Sequence, residues 1–202
     1  MVNYSMRTAP EQFSCHYEDP SCLTRLESAV YCFLAQMDPQ FEREIVYLCV
    51  GTDRATGDCL GPLVGTRLHT LIPVLNLFGT LEKPSHAVNL PDVLEEIAHL
   101  YKNPLVVAID ASLGNAHRIG YITIKPGGLK PGTALNKVLP IVGEFHISAV
   151  VNVGGYLEQM VLQNTRLYVV YRMAQLIADG LYQAHLRHEQ DRNYCLTPAS
   201  VY

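Results

Sequence analysis

The chain has 202 residues, of which 49% are hydrophobic and 17% charged; this is the composition of a globular protein, long enough for one domain and unlike that of a disordered chain. The formal net charge of -4 gives no electrostatic basis for binding nucleic acid. Because no apolar run approaches the ~18 residues of a membrane span and the first residues lack the order of a signal peptide, we expect a soluble cytoplasmic protein without a membrane partner.

Strand and helix patterns alternate along the chain. We expect a single domain over residues 1–202, with an ordered or frayed arm at 1–24 and a loose polar tail at 189–202. Apolar spacing predicts helices at Leu26–Met37, Leu60–Ile72, Pro91–Tyr101 and Tyr156–His188, the last one broken near Asn164, and strands at Ile45–Val50, Leu105–Asp110, Ile119–Ile124 and His146–Val153. Residues 74–81 and 86–89 fit a strand or a loop, and the glycine- and proline-rich segment 126–140 fits a loop.

This alternation determines the predicted fold class. The runs at 45–50 and 105–110 are almost continuously apolar, which is typical of parallel strands buried on both faces. We therefore expect an α/β protein, a three-layer αβα sandwich with a mostly parallel central sheet. In such sheets, ligands and catalytic groups gather at the carboxyl ends of the strands.

The segment Val46–Val64 lies at such an end and carries the main functional signal. Its strand stops at Gly51, a polar loop holds Asp53 and Asp58, and a helix follows Gly61-Pro62. The loop lacks the Lys-Ser/Thr of a phosphate-binding P-loop and the spaced glycines of a dinucleotide site. The chain also contains neither a GxSxG nor an HExxH motif. No cofactor is predicted.

Two acids follow apolar strands in the same way. Asp110 ends the second buried strand and Asp58 follows the first one after a short loop, so adjacent parallel strands would bring them to one cleft. Two close carboxyl groups share a proton and act as base and acid on a water. Alternatively, they bind a divalent cation together with a histidine, for which His117 and His146 are the candidates.

Structural interpretations of the same residues stay open. Asp58 is placed to cap the following helix, and Asp110 to form a turn with Ser112. Asp53 is interpreted either as a solvent-exposed acid of the loop or as a substrate-binding residue. The remaining predicted substrate-binding residues are Gly51, Thr52, Gly154 and Gly155, which would let a peptide backbone approach closely.

Cysteines and the terminal histidines point to no metal site. The six cysteines form no CxxC pair. Cys49 fits a core residue, while Cys59 lies in the loop beside Asp58 without a neighbouring base. His185 and His188 lie one turn apart and could share a metal, but their polar helix favours a solvated face. No metal ligand is therefore predicted.

The motifs VGTDRATGDCLGPLVG, VVAIDASLG and PGG…KPGT, followed by an apolar strand and Gly-Gly, resemble a known family. They are similar to the YyaC-like branch of the sporulation proteins related to the germination (spore) protease, over roughly 45–178. More distantly, the chain resembles the hydrogenase maturation endopeptidases. The resemblance implies a phosphorylase/hydrolase-like α/β sandwich and the cytoplasm of an endospore former, in the forespore or the mother cell.

The resemblance also implies a function. In the germination protease, two aspartates carry peptide hydrolysis of small acid-soluble spore proteins, and their positions here are Asp58 and Asp110. The chain is shorter than that protease and has no evident propeptide. In the maturation endopeptidases the matching acids and a histidine contact nickel. The leading hypothesis is an aspartate-dependent endopeptidase acting on a peptide or small protein. A nickel-type peptidase and a non-enzymatic sporulation factor remain alternatives.

The apolar face of the predicted helical segment 156–186 has two interpretations. It packs on the sheet, or it forms a contact between subunits of a homo-oligomer.

Overall fold

The computed structural model describes residues 9–130 and 140–196. Most of the predicted loop 126–140, including the last three residues of its KPGT motif, lies outside these residues. In the part of the chain that is described, no helix is long and apolar enough to cross a membrane.

Six strands and five helices make up the described fold. The strands are β1 Phe13–His16, β2 Ile45–Cys49, β3 Leu77–Phe78, β4 Leu105–Gly114, β5 Tyr121–Pro126 and β6 Phe145–Val153. The helices are α1 Cys22–Met37, α2 Leu60–Leu71, α3 Leu90–Leu100, α4 Glu158–Gln163 and α5 Leu167–Leu196, and two short 3₁₀ helices span Gly57–Cys59 and Ala116–Arg118. All four predicted helical regions and all four predicted strands are therefore present, with shifted ends.

The strands form one mixed sheet in the order β1-β5-β6-β4-β2-β3. The pairs β6–β4, β4–β2 and β2–β3 are parallel, whereas β5 runs antiparallel to both of its neighbours. Strand β4, which contains Asp110, and strand β2, which precedes the loop to Asp58, are direct neighbours in the sheet, as the sequence predicts.

Two apolar clusters cover the two faces of the sheet and confirm the three-layer sandwich. Alternate side chains of β2 and β4, among them Tyr47 and Ile109, pack in the larger cluster with α1, α2 and α5. The intervening ones, such as Leu48 and Ala108, pack against α3 on the opposite face. This division follows from the period-two alternation of side chains along a strand.

The described parts of the two terminal segments are ordered. Within the predicted arm, Phe13–His16 forms β1, which pairs with β5 and buries Phe13 and Cys15. Instead of a loose tail, α5 continues past His188 as far as Leu196. In each case, long-range packing orders residues whose local pattern is polar.

The apolar face of the segment after β6 packs in the core, which was one of its two interpretations. Helices α4 and α5 are separated near Asn164, as predicted. Tyr182 packs against the larger cluster, which includes four large side chains of α5: Val170, Met173, Ile177 and Leu181. Tyr168 and Tyr171 are 54% and 47% exposed, and Tyr156 in the preceding loop is 95% exposed, so these three side chains lie outside the core.

Candidate active site at the carboxyl edge of the sheet

The loop after β2 folds back on its own strand and carries Asp58 to the strand end. Gly51 adopts a φ of 139°, a conformation that favours glycine. Beyond it, the Thr52 N–H donates to the Asp58 carbonyl oxygen at 3.1 Å, and the Asp58 N–H donates to the Ala55 carbonyl oxygen at 3.0 Å. The backbone of this loop thus fixes the position of Asp58, in the short 3₁₀ helix that precedes α2.

Asp58 does not cap a helix. Neither that 3₁₀ helix nor α2 has a side-chain hydrogen bond at its N-cap. The interpretation of Asp58 as a capping residue is therefore wrong, and its carboxyl group remains available for another role.

Asp110 lies inside β4 and not at its end. The strand continues for four residues to Gly114, because β6 pairs with it along this whole length. Ser112 is part of the strand, so the predicted turn with Asp110 does not form. The Asp110 side chain is 8% exposed and stands in register with Ser148 on β6. Next to it, Ile109 accepts a hydrogen bond from the N–H of Val50 at the end of β2, at 2.7 Å.

The two carboxyl groups are electrostatically coupled. Burial raises the pKa of Asp110 well above its usual range, and the negative charge of Asp58 raises it further, while the Ala111 N–H opposes the shift. Burial also raises the pKa of Asp58, although the backbone N–H of Thr52 and the charge of His86 lower it in part. The charge of Asp58 thus acts on Asp110, whereas Asp110 is not among the causes that shift the pKa of Asp58. The arrangement favours one proton on the pair, held by Asp110.

His86 is the histidine that this edge of the sheet brings to Asp58, and the sequence did not single it out. Its predecessor Ser85 bridges Val50 in parallel, and the Ser85 carbonyl oxygen accepts the Gly51 N–H at 2.8 Å. The His86 Nδ1 accepts from the backbone N–H groups of Val88 and Asn89, both at 3.3 Å. A neutral His86 therefore carries its proton on Nε2.

His117 and His146 lie elsewhere. His117 is exposed, in the turn after β4, and His146 Nδ1 is 2.8 Å from the Gly127 carbonyl oxygen. Neither contributes to the pKa shifts of the two aspartates. Among the described side chains, no three His, Cys, Asp or Glu residues are grouped so as to hold a metal ion.

The predicted substrate-binding residues fall into two groups. Gly51, Thr52 and Asp53 lie on the Asp58 loop, where Asp53 is exposed. Gly154 and Gly155 lie further along the sheet: the Gly154 N–H donates to Gly114, four residues and about 13 Å beyond Asp110. Both glycines are exposed, and their role in binding remains a prediction.

Cys59 is buried, and burial is the main cause that raises the pKa of its thiol, which disfavours a nucleophile. One further expectation is wrong. His185 and His188 do not form a solvated face. His188 is fully buried, and His185 Nδ1 lies 3.2 Å from the hydroxyl of buried Tyr47.

Comparisons with known proteins identify relatives. The "Uncharacterized protein YyaC" of Bacillus subtilis (strain 168) is 49% identical over 140 residues, which are 69% of this chain and 68% of that protein. A solved structure, the NiFe hydrogenase maturation protease HycI from Thermococcus kodakarensis KOD1, has a TM-score of 0.45 at 20% identity and covers 72% of this chain and 98% of its own. A family model described as "Protein of unknown function (DUF1256)" matches residues 14–180. The chain belongs to this family, as a YyaC-like protein.

Proposed function

We propose that the protein is an aspartate-dependent endopeptidase of endospore-forming bacteria. Its substrates would be small acid-soluble spore proteins or similar peptides, cleaved in the cytoplasm of the forespore or the mother cell. The observation that supports this proposal is the coupling of Asp58 and Asp110, two carboxyl groups with raised pKa values, of which Asp110 lies inside β4 and Asp58 in the segment that follows the adjacent strand β2. The substrate class rests on the resemblance of the two Asp-containing motifs to those of the germination protease.

The unequal environments of the two acids assign their roles. Asp58 is partly exposed and ionises first, so it is the general base that removes a proton from the attacking water. Asp110 is buried beside that charge and keeps its proton, so it is the general acid. This division follows the rule that two close carboxyl groups with different environments take different protonation states.

The reaction then needs no further group to balance its protons. The water oxygen attacks the carbonyl carbon of the scissile peptide bond while Asp58 takes a proton from that water. Asp110 gives its proton to the leaving amine nitrogen as the carbon–nitrogen bond breaks. Transfer of the proton from Asp58 back to Asp110 restores the starting state, and the pair is ready for another cycle.

The test is cleavage of a purified small acid-soluble spore protein, followed by mass spectrometry of the products. We expect Asp58→Asn and Asp110→Asn each to lower kcat/KM by at least about a hundredfold, the usual contribution of a general acid or base. Asp92→Asn is the matched control, because it removes the same charge from an exposed position at the start of α3. Absence of cleavage by the unmodified protein, or cleavage that survives both substitutions, would refute the proposal.

The same proteins distinguish the two alternatives. Nickel binding measured by calorimetry that disappears in both Asn variants would favour the metal-dependent peptidase. If no cleavage occurs and the double Asn variant still supports sporulation in cells, the non-enzymatic factor is the better description.

A further inference from the structure

Among the described residues, the last four of β4 are paired with a strand on one side only. The ladder between β2 and β4 ends at Cys49 and Ile109, followed by the hydrogen bond from Val50 to Ile109. At Gly51 the chain turns away into the Asp58 loop. On the other side, the pairing with β6 continues through Ala111–Gly114, across a bulge at Ser112 and Leu113. All four residues are partly exposed.

The alternation of hydrogen bonds tells which backbone groups face the unpaired side. In a parallel ladder, alternate residues direct both their N–H and their C=O to the same neighbour. The N–H of Leu105 and the C=O of Ile109 bond on the β2 side, whereas the C=O groups of Val106 and Gly114 accept from residues on the β6 side. Odd-numbered residues therefore face β2, and the next two are Ala111 and Leu113.

Three of these four backbone groups are available to a ligand. The fourth, the Ala111 N–H, donates to the carboxyl group of Asp110 and lowers its pKa. For the Ala111 C=O and for both groups of Leu113, the loops and turns within 9–130 and 140–196 provide no backbone partner. An edge of this kind, with groups at period two, is the feature to which extended peptides add as an extra strand.

The space beside this edge has a second wall. Ser85 bridges Val50 on the side of β2 opposite to β4. The region where β2 would continue is thus bounded by Ala111–Gly114 and by Ser85–His86, and we call it the extension gap. Its walls are about two strand spacings apart, roughly 9–10 Å, which is the width that one extended chain fills. Asp110 and the Asp58 loop lie at its inner end.

We propose that the substrate binds in the extension gap as an extended segment, which continues the line of β2 and pairs through its backbone with Ala111 and Leu113. This inference rests on the proposed endopeptidase function and adds the class of substrate. The segment is unfolded and is recognised mainly through its main chain, so its side chains contribute less to affinity. Pairing would hold the scissile bond beside Asp58 and Asp110.

The first test measures binding to the Asp58→Asn variant, which preserves β4. The probes are overlapping 12-residue peptides of a small acid-soluble spore protein, and the tightest binder is then N-methylated at one backbone nitrogen at a time. If the peptide pairs with one strand, N-methylation weakens binding at every second residue by about two- to tenfold, the effect of one lost hydrogen bond. Equal effects at all positions, or no peptide that binds, would overturn the inference.

The second test changes the protein edge. Leu113→Pro removes the N–H that faces the gap, at an edge position where proline is tolerated. Leu113→Ala is its matched control, because it removes side-chain atoms but keeps the N–H. We expect the proline variant, once circular dichroism shows it to be folded, to bind the peptide about two- to tenfold more weakly than the alanine variant. Equal affinities would count against pairing at Leu113.

The outcomes separate this inference from the proposed function. Cleavage of the spore protein without a period-two pattern would leave the endopeptidase standing and refute strand pairing. A period-two pattern without cleavage would establish the edge as a peptide-binding site and refute the endopeptidase.

Discussion

The carbonyl oxygen of Asp58 occupies the space that a side chain on Gly51 would need. A Cβ built on Gly51 meets this oxygen at a separation that real Cβ atoms do not show, and the φ of 139° is itself unfavourable for other residues. We expect Gly51→Ala to push the loop away and to separate Asp58 from Asp110. The overpacking lowers the free energy of unfolding by about 1–3 kcal/mol in addition to the backbone strain. Thermal unfolding would measure this loss of stability, and the cleavage rate would measure the effect of moving Asp58 away from Asp110.

Gly155→Ala is the control for that substitution. Gly155 has a similarly unfavourable φ of 131°, but a Cβ there meets no atom within 4 Å. Its loss of stability, about 1–2 kcal/mol, therefore reports the backbone conformation alone. If the two variants lost the same stability, the close approach of Gly51 to Asp58 would not be what positions the loop.

The buried carboxyl group of Asp110 makes stability depend on pH. Its pKa is raised in the folded state, whereas in the unfolded chain it is about 3.9. Between these values the folded state binds more protons, so stability decreases as the pH rises above about 4. We expect Asp110→Asn to remove this loss, so that its melting temperature exceeds that of the unmodified protein by an amount that increases from pH 4 to 7. A constant difference would show that Asp110 does not hold a proton.

Much of the fold and both acids of the site are predictable from the sequence, for a physical reason. Strands β2 and β4 are apolar runs buried on both faces, and their neighbouring positions bring Asp58 and Asp110 together. The continuation of β4 past Asp110 was not predictable, because the short segment Ala111–Gly114 has no strand-like alternation of its own and only its pairing with β6 makes it a strand. His86 was missed because its position depends on the long-range bridge between Ser85 and Val50.

Arg43 stabilises the opposite edge of the sheet. Its side chain is 18% exposed, and its guanidinium group forms an ion pair with Glu144 and donates to the carbonyl oxygens of Asn103 at 3.0 Å and Pro104 at 2.8 Å. A lysine cannot reach these acceptors with one nitrogen. We expect Arg43→Lys to lower the free energy of unfolding in urea by about 1–3 kcal/mol, with cleavage retained at 25 °C.

The ion pair of Lys83 with Glu96 provides the comparison for Arg43. The Lys83 side chain is 78% exposed, and its nitrogen lies 3.6 Å from the carboxylate. Exposed pairs of this kind contribute about 0–1 kcal/mol. Lys83→Ala should therefore leave the urea midpoint almost unchanged, and an effect as large as that of Arg43→Lys would mean that burial is not the reason for the importance of Arg43.

His188 is fully buried, and neither of its ring nitrogens has a hydrogen-bond partner among the described residues. Its ring packs on Phe41, 4.8 Å between centroids. Burial is the largest cause that lowers its pKa; Glu189, Asp38 and Asp191 oppose the shift and Arg192 adds to it. In the unfolded chain, His188 therefore becomes protonated below about pH 6.5, whereas in the folded chain it does so only at lower pH. Because the unfolded state then binds more protons, the stability of the fold falls as the pH decreases through this range.

An apolar side chain of similar size at position 188 should remove both destabilising effects of His188, the buried ring nitrogens without hydrogen-bond partners and the loss of stability in acid. We expect His188→Met to raise the free energy of unfolding by about 1–3 kcal/mol at neutral pH, the cost of leaving buried polar groups without partners, and by more at pH 5. In a chain of this size each kcal/mol corresponds to about 2–4 °C in melting temperature. Exposed His99 on α3 provides the control, since His99→Gln should leave the pH dependence unchanged. Two other groups still contribute to the slope in the Met variant: burial lowers the pKa of His185, which acts in the same direction as His188, and the raised pKa of Asp110 acts in the opposite direction. If His188→Met melted with the same slope as the unmodified protein between pH 5 and 7, His188 would not be the group that loses stability in acid.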